Sequence, residues 1–85
     1  MKVYCCQYDI QWEDRSENHC RVNALLKGAS LERGSLVLLP EMFASGFSLN
    51  VPLIAEGREG ANRAFLSSVA AERDVFVMGG IVCWV

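Results

Sequence analysis

The centre of the chain is the stretch Gly34-Ser35-Leu36-Val37-Leu38-Leu39-Pro40-Glu41-Met42-Phe43, and this stretch decides the fold. Its apolar run is continuous rather than alternating, which is typical of a parallel strand that is covered on both faces. Pro40 cannot donate to a sheet ladder, so the strand is predicted to span Ser35 to Leu39. We therefore expect a buried strand with a carboxylate, Glu41, close behind its carboxyl end.

One strand and one helix are predicted before this stretch. Lys2 to Asp9 is rich in β-branched, aromatic and cysteine residues, which favours a strand. Arg15 to Arg33 is predicted to be a helix, with Asp14 as its N-cap and Gly34 as its C-terminal glycine. Its apolar stripe consists of Val22, Leu25, Leu26 and Ala29.

A loop, a helix and a strand are predicted after it. Glu41 to Gly57 is expected to be irregular, and loops of this length inside compact domains are often functional. Glu59 to Arg73 is predicted to be a helix whose apolar face is Phe65, Leu66, Val69 and Ala70. Val75 to Met78 opens a third strand, Gly79-Gly80 indicates a bulge or a place where another backbone comes close, and Ile81 to Val85 is expected to resume the strand.

The resulting order is β-α-β-α-β, which predicts an α/β fold with a parallel sheet and right-handed crossovers. Such a sheet needs covering on both faces, and two helices can barely cover one. Because the apolar run still continues at Val85, residues 1–85 are expected to be an incomplete part of one domain, completed by further chain or by a partner chain.

Composition excludes several classes of partner. The formal net charge is −2 and the eight lysines and arginines are scattered, so neither nucleic acid nor an anionic membrane is expected to bind.

The longest apolar run is too short to span a bilayer and no signal-peptide pattern is present, so a cytoplasmic location is expected. The four cysteines form no CxxC pair and are expected to be reduced, buried hydrophobic residues rather than a disulfide or zinc site.

The central stretch resembles the first catalytic motif of the nitrilase superfamily of carbon–nitrogen hydrolases, an apolar strand that ends in Leu-Pro-Glu-Met-Phe. Ala44-Ser45-Gly46-Phe47-Ser48 is similar to its continuation in the ω-amidase-like branch. The start, from Cys6 to Asp14 with Asn18 and Arg21, and the later Val77-Met78-Gly79-Gly80 resemble the same family in the same order. The resemblance covers essentially the whole chain.

The resemblance implies an α-β-β-α sandwich and a Glu–Lys–Cys triad that needs no cofactor or metal. Glu41 matches the glutamate, the general base, and its apolar neighbours are expected to desolvate it. In the family the lysine and the nucleophilic cysteine lie well downstream of the glutamate, so the resemblance implies that both lie beyond residue 85. Lys2, at the start of the chain, and Lys27, on a helix, are poor substitutes for that lysine. Homo-oligomers are also implied.

Three residues beside Glu41 are candidates for substrate binding: Met42, Phe43 and Phe47. Packing under the loop is an equally good interpretation of them. His19 is expected to be a surface or partly buried helix residue, Cys83 an inert strand cysteine, and Ser48 lacks the partner that a nucleophile needs.

Three functions remain open at this stage. The first is an amidase that releases ammonia from a small terminal amide, with short 2-oxo dicarboxylate amides as the substrate class that the ω-amidase-like resemblance implies. The second is hydrolysis of a nitrile or a carbamoyl amide, or acyl transfer, on the same scaffold. The third is a short, non-catalytic α/β interaction module.

Overall fold

The computed structural model describes residues 1–84, and within them three short strands form one parallel sheet. The strands are β1 (Val3–Cys5), β2 (Leu36–Leu38) and β3 (Phe76–Met78), and the helices are α1 (Arg15–Lys27), α2 (Val51–Ile54) and α3 (Ala61–Arg73). The order in the sheet is β1-β2-β3, and both neighbouring pairs are parallel. This confirms the predicted α/β fold.

The core lies between the sheet and the two long helices. Tyr4, Val37 and Val77 stand side by side in the register, and the core residues pack against this row. The buried hydrophobic residues are Val22, Leu26, Val37, Leu39, Phe43, Ala44, Val69 and Val75. The burial of Val22 and Leu26 on α1 and of Val69 on α3 confirms part of each predicted apolar face. Leu25, which the predicted stripe of α1 included, is 39% exposed.

The opposite face of the sheet has no covering layer in residues 1–84. Val3, Phe76 and Met78 are 56%, 64% and 62% exposed on that face, and Leu36 and Leu38 are only partly buried. The predicted coverage of β2 is therefore found on one face of the sheet. The amino-acid pattern of β2 suits a strand covered on both.

The first helix is shorter than predicted. It ends at Lys27, and Gly28 is its C-cap, with its N–H donating to Ala24 O. Gly34 lies instead in the turn before β2, with φ +76°, where glycine avoids the steric cost of a side chain. Ala29 consequently lies outside the helix and is exposed. The N-cap prediction is confirmed, because the Asp14 carboxylate accepts a hydrogen bond of 3.1 Å from Glu17 N.

Other boundaries differ as well. β1 covers Val3–Cys5 rather than Lys2 to Asp9, and β2 covers Leu36–Leu38 rather than Ser35 to Leu39. α3 begins at Ala61 rather than at Glu59, and β3 begins at Phe76 rather than at Val75. The long loop contains the four-residue helix α2, which carries Pro52 in its first turn, a position where proline is tolerated.

The third strand does not resume after Gly79-Gly80. Among residues 81–84 a single parallel bridge joins Cys83 to Glu56, and Val85, which the prediction included, lies outside the described residues. No helix in the part of the chain described here has the length and apolarity needed to cross a membrane.

Candidate active site

Glu41 lies at the carboxyl end of β2, the middle strand, after Leu39 and Pro40. In parallel α/β sheets this edge is where sites form. The Glu41 side chain is exposed, so its expected desolvation is not found in residues 1–84. Met42 has a positive φ of 52°, and after it Phe43 enters the core with no exposed surface. The backbone thus turns Phe43 inward and leaves Glu41 outward.

Three consecutive carbonyl groups fix the loop that follows Glu41, which we call the site loop (Glu41–Gly46). The Tyr8 hydroxyl donates to Phe43 O at 2.7 Å. Asn18 Nδ2 donates to Ala44 O at 2.7 Å, and Glu13 N donates to Ser45 O at 2.9 Å. Because buried carbonyls need partners, these three bonds hold the site loop in one conformation.

Tyr8 lies in the segment between β1 and α1 and is partly buried, whereas Asn18 lies on α1 and is fully buried. Burial raises the pKa of Tyr8, with a smaller contribution from Cys6, so the phenol stays protonated and remains a donor. Asn18 has no exposed surface; it also donates to Gln11 O and accepts from Gln11 N, at 2.8 and 2.7 Å. Local patterns assign neither residue a role, because their partners are 35 and 26 residues away in sequence.

His19 packs beside Phe43, the buried residue of the site loop. Its ring stacks on Phe65, with centroids 4.1 Å apart and planes 7° apart, and lies 6.0 Å from the Phe43 ring. Its Nε2 lies 2.7 Å from Asn62 Oδ1. This confirms a partly buried helix residue that takes part in packing.

The three candidates for substrate binding lie in different environments. Phe43 is fully buried, which favours the packing interpretation for this residue. Met42 is partly buried, and Phe47 is 65% exposed just after Gly46. Of the three, Met42 and Phe47 remain accessible to a ligand in the described chain.

Other reactive groups have structural partners. Ser48 is buried, and its hydroxyl donates to Glu13 Oε2 at 2.5 Å. Cys83 Sγ accepts from the Arg63 guanidinium at 3.4 Å. All four cysteines are free, and Cys5 and Cys20 are exposed, so the prediction of buried thiols is wrong for these two. Residues 1–84 contain no cluster of acidic, histidine and cysteine side chains that could hold a metal.

Comparison with known proteins identifies the family. The Carbon-nitrogen hydrolase family matches residues 2–84. The chain belongs to the carbon–nitrogen hydrolase family. A nitrilase from Pyrococcus abyssi (strain GE5 / Orsay) is 28% identical over 85 residues, which are 94% of this chain and 32% of that protein.

A solved carbon–nitrogen hydrolase has the same fold. The crystal structure of a CN-hydrolase superfamily protein from Xanthomonas campestris, with an arsenic adduct in its active site, matches with a TM-score of 0.86 and 29% identity. The match covers 98% of this chain and 31% of that one. The chain thus spans about a third of the length of these carbon–nitrogen hydrolases.

Proposed function

We propose that this segment supplies Glu41 as the general base of an amidase that releases ammonia from a small terminal amide. The observation that supports this proposal is the position of Glu41: an accessible carboxylate at the carboxyl end of the middle parallel strand, on a loop held by three carbonyl hydrogen bonds. A general base must be reachable, and the Glu41 side chain is exposed on a loop whose backbone is held from Phe43 to Ser45.

The proposed reaction uses a lysine and a cysteine that lie beyond residue 85 of the same domain. Glu41 takes the thiol proton, and the thiolate attacks the amide carbon to give a tetrahedral oxyanion, which the lysine and backbone N–H groups stabilise. The intermediate collapses to a thioester, and the amine leaves as ammonia after receiving the proton. Glu41 then deprotonates water, and the hydroxide attacks the thioester carbon. The C–S bond breaks to release the acid, and Glu41 returns the proton to the cysteine thiolate.

The substrate class in this proposal is the amide of a short 2-oxo dicarboxylate, and no cofactor takes part. The similarity of Ala44–Ser48 to the ω-amidase-like branch supports this choice. The accessible Met42 and Phe47 are the proposed apolar contacts of the substrate. The intact protein is proposed to be a cytoplasmic homo-oligomer, with a second sheet layer on the exposed face of the sheet.

The first test is Glu41→Gln in the full-length protein that carries this segment. The amide keeps the size of the side chain and removes the base, so kcat is expected to fall by at least about 10²-fold, the effect typical of general-base removal. Ammonia release measures turnover, and circular dichroism with thermal unfolding checks the fold. Glu59→Gln, at an exposed position before α3, is the matched control and is expected to keep full activity.

Retained turnover in Glu41→Gln would contradict the assigned role. Absence of turnover in the wild type, on every substrate of the panel described next, would contradict the enzymatic proposal and favour a non-catalytic module.

Nitrile hydrolysis is the second candidate function, because the relative from Pyrococcus abyssi is named a nitrilase. A panel of matched amides, nitriles and carbamoyl amides with the same acyl part separates the two. The amidase proposal expects the highest kcat/KM on the amide. A higher kcat/KM on the nitrile would replace it with the second candidate.

A further inference from the structure

Gly79-Gly80 lies directly against the site loop. A Cβ atom on Gly80 would stand 3.1 Å from Met42 N and 3.2 Å from both Cα and Cγ of Glu41. These distances are shorter than ordinary Cβ contacts, and two of the three atoms belong to the backbone. A Cβ on Gly79 would instead meet the Phe43 ring, at 2.9 Å from Cδ1. The expectation that another backbone comes close at the glycine pair is confirmed for Gly80.

The segment that carries the glycines is anchored at both ends. Before the pair, Leu39 N donates to Met78 O at 2.8 Å. After the pair, Glu56 N donates to Val82 O and Trp84 N donates to Glu56 O, each at 2.9 Å. The segment therefore cannot move away from the site loop without breaking backbone hydrogen bonds.

The site loop cannot move away easily either. The carbonyls of Phe43 and Ala44 are bound by Tyr8 and Asn18, and the Phe43 ring is fully buried. Two anchored backbones thus face each other across a gap that only hydrogen atoms on Gly80 fill. Any side chain there must displace Glu41 by a few tenths of an ångström or open the loop.

We propose that Gly80 is a positioning residue: its lack of a side chain sets the place of the Glu41 backbone, and hence of the carboxylate, at the carboxyl end of β2. Gly79 has a different role, since its neighbour is the buried Phe43 ring. The inference rests on the proposed function in one respect, namely that Glu41 is the base whose placement matters. The steric relation itself is independent of the reaction.

The test is Gly80→Ala in the full-length protein. A misplacement of about 1 Å can cost about 10²-fold in rate, so the smaller shift here is expected to lower kcat by about 10-fold, with KM little changed. Gly57→Ala is the matched control, because a Cβ at Gly57 meets nothing within 4 Å and its φ is not in the left-handed region. Gly79→Ala is expected to lower the thermal unfolding midpoint and to lower kcat less than Gly80→Ala does.

A crystal structure of Gly80→Ala supplies the readout that does not depend on activity. It is expected to show Glu41 Cα displaced relative to the wild type, whereas Gly57→Ala shows no displacement. An unmoved Glu41 together with wild-type kcat overturns the inference, and so does a loss of kcat in Gly79→Ala as large as that in Gly80→Ala. A wild type without turnover overturns the proposed function alone, because the displacement of Glu41 still decides the steric claim.

Trp84→Pro tests the same idea without adding an atom near Glu41, and serves if Gly80→Ala does not fold. It removes the N–H that donates to Glu56 O and so releases one anchor of the glycine segment. The extended backbone at Cys83, which takes part in a bridge, suits a residue before proline. A crystal structure of the variant shows whether the glycine segment and Glu41 have moved. Displacement of Glu41 with a fall in kcat at unchanged KM supports the positioning role, and displacement of Glu41 with wild-type kcat overturns it.

Discussion

Asn18 shows how one side chain can join three parts of the molecule. It projects from α1, its amide donates to Gln11 O and to Ala44 O, and its carbonyl accepts from Gln11 N. The side chain has no exposed surface, so water cannot bind its polar atoms, and these hydrogen bonds are what satisfy them. The connector before α1 and the site loop are therefore held by the same amide group.

Replacement of Asn18 by alanine is expected to reduce the free energy of unfolding by about 2–4 kcal/mol, because it leaves three backbone polar groups without their partner. Urea unfolding of the full-length protein measures this. Asn23→Ala, at an exposed position of the same helix, is the control and is expected to change stability by less than about 0.5 kcal/mol. Equal decreases in the free energy of unfolding for the two substitutions would show that the buried Asn18 amide does not stabilise the fold through its hydrogen bonds.

At the scale of elements, α3 begins without a capping side chain of its own. Gly60 is the N-cap, and the buried carboxylate of Glu56 accepts from Asn62 N at 2.9 Å and from Arg63 N at 3.1 Å. A Cβ on Gly60 would collide with this carboxylate, so the glycine is what lets Glu56 approach. The Glu56 backbone also donates to Val82 O and accepts from Trp84 N. Glu56 therefore joins the start of α3 to the segment after β3.

The change Glu56→Ala is expected to lower the free energy of unfolding by about 1–3 kcal/mol, since two N–H groups at the start of α3 lose a charged acceptor. Hydrogen exchange should locate the effect, with faster exchange at the amides of Asn62 and Arg63. In Glu59→Ala, which alters an exposed neighbour, both amides are expected to keep their protection. Unchanged exchange in Glu56→Ala would contradict the capping role.

At the scale of the whole molecule, α1, α3 and the site loop meet at His19. Its ring stacks on Phe65 of α3 and lies beside Phe43 of the site loop. The pKa of His19 is lowered from its ordinary value of 6.5, mainly by burial. The hydrogen bond to Asn62 opposes this shift, Arg15 adds to it, and Glu56 opposes it. The folded protein therefore favours the neutral imidazole.

The lowered pKa of His19 predicts that the stability of the protein depends on pH. The unfolded chain binds the His19 proton at a higher pH than the folded chain does, so the contribution to stability is complete above about pH 6.5 and is lost as the pH falls from there to the folded pKa. His19→Phe keeps an aromatic ring against Phe65 but cannot titrate. The difference in unfolding free energy between wild type and variant, followed from pH 7.5 to about pH 5, is expected to change in favour of the variant. A constant difference would contradict the prediction.

Several features follow from the amino-acid sequence alone, because the interactions behind them are local. The continuous apolar run of β2 predicts a central parallel strand, and Pro40 predicts its end, so Glu41 could be placed at the carboxyl edge of the sheet. Asp14 could be recognised as an N-cap because the N–H that it binds is three residues away. The apolar periodicity of α3 likewise acts over adjacent turns of one helix.

Other features depend on contacts between distant parts of the chain, and only the tertiary structure decided them. Phe43 turns inward, although Glu41 two residues earlier points outward, because Met42 adopts a positive φ and the core between α1 and α3 accepts the ring. The start of α3 is set by Glu56, and the place of Glu41 by Gly80 across the sheet edge. Periodicity and capping patterns describe neighbours along the chain, whereas these contacts join separate elements and exist only once the sheet has assembled.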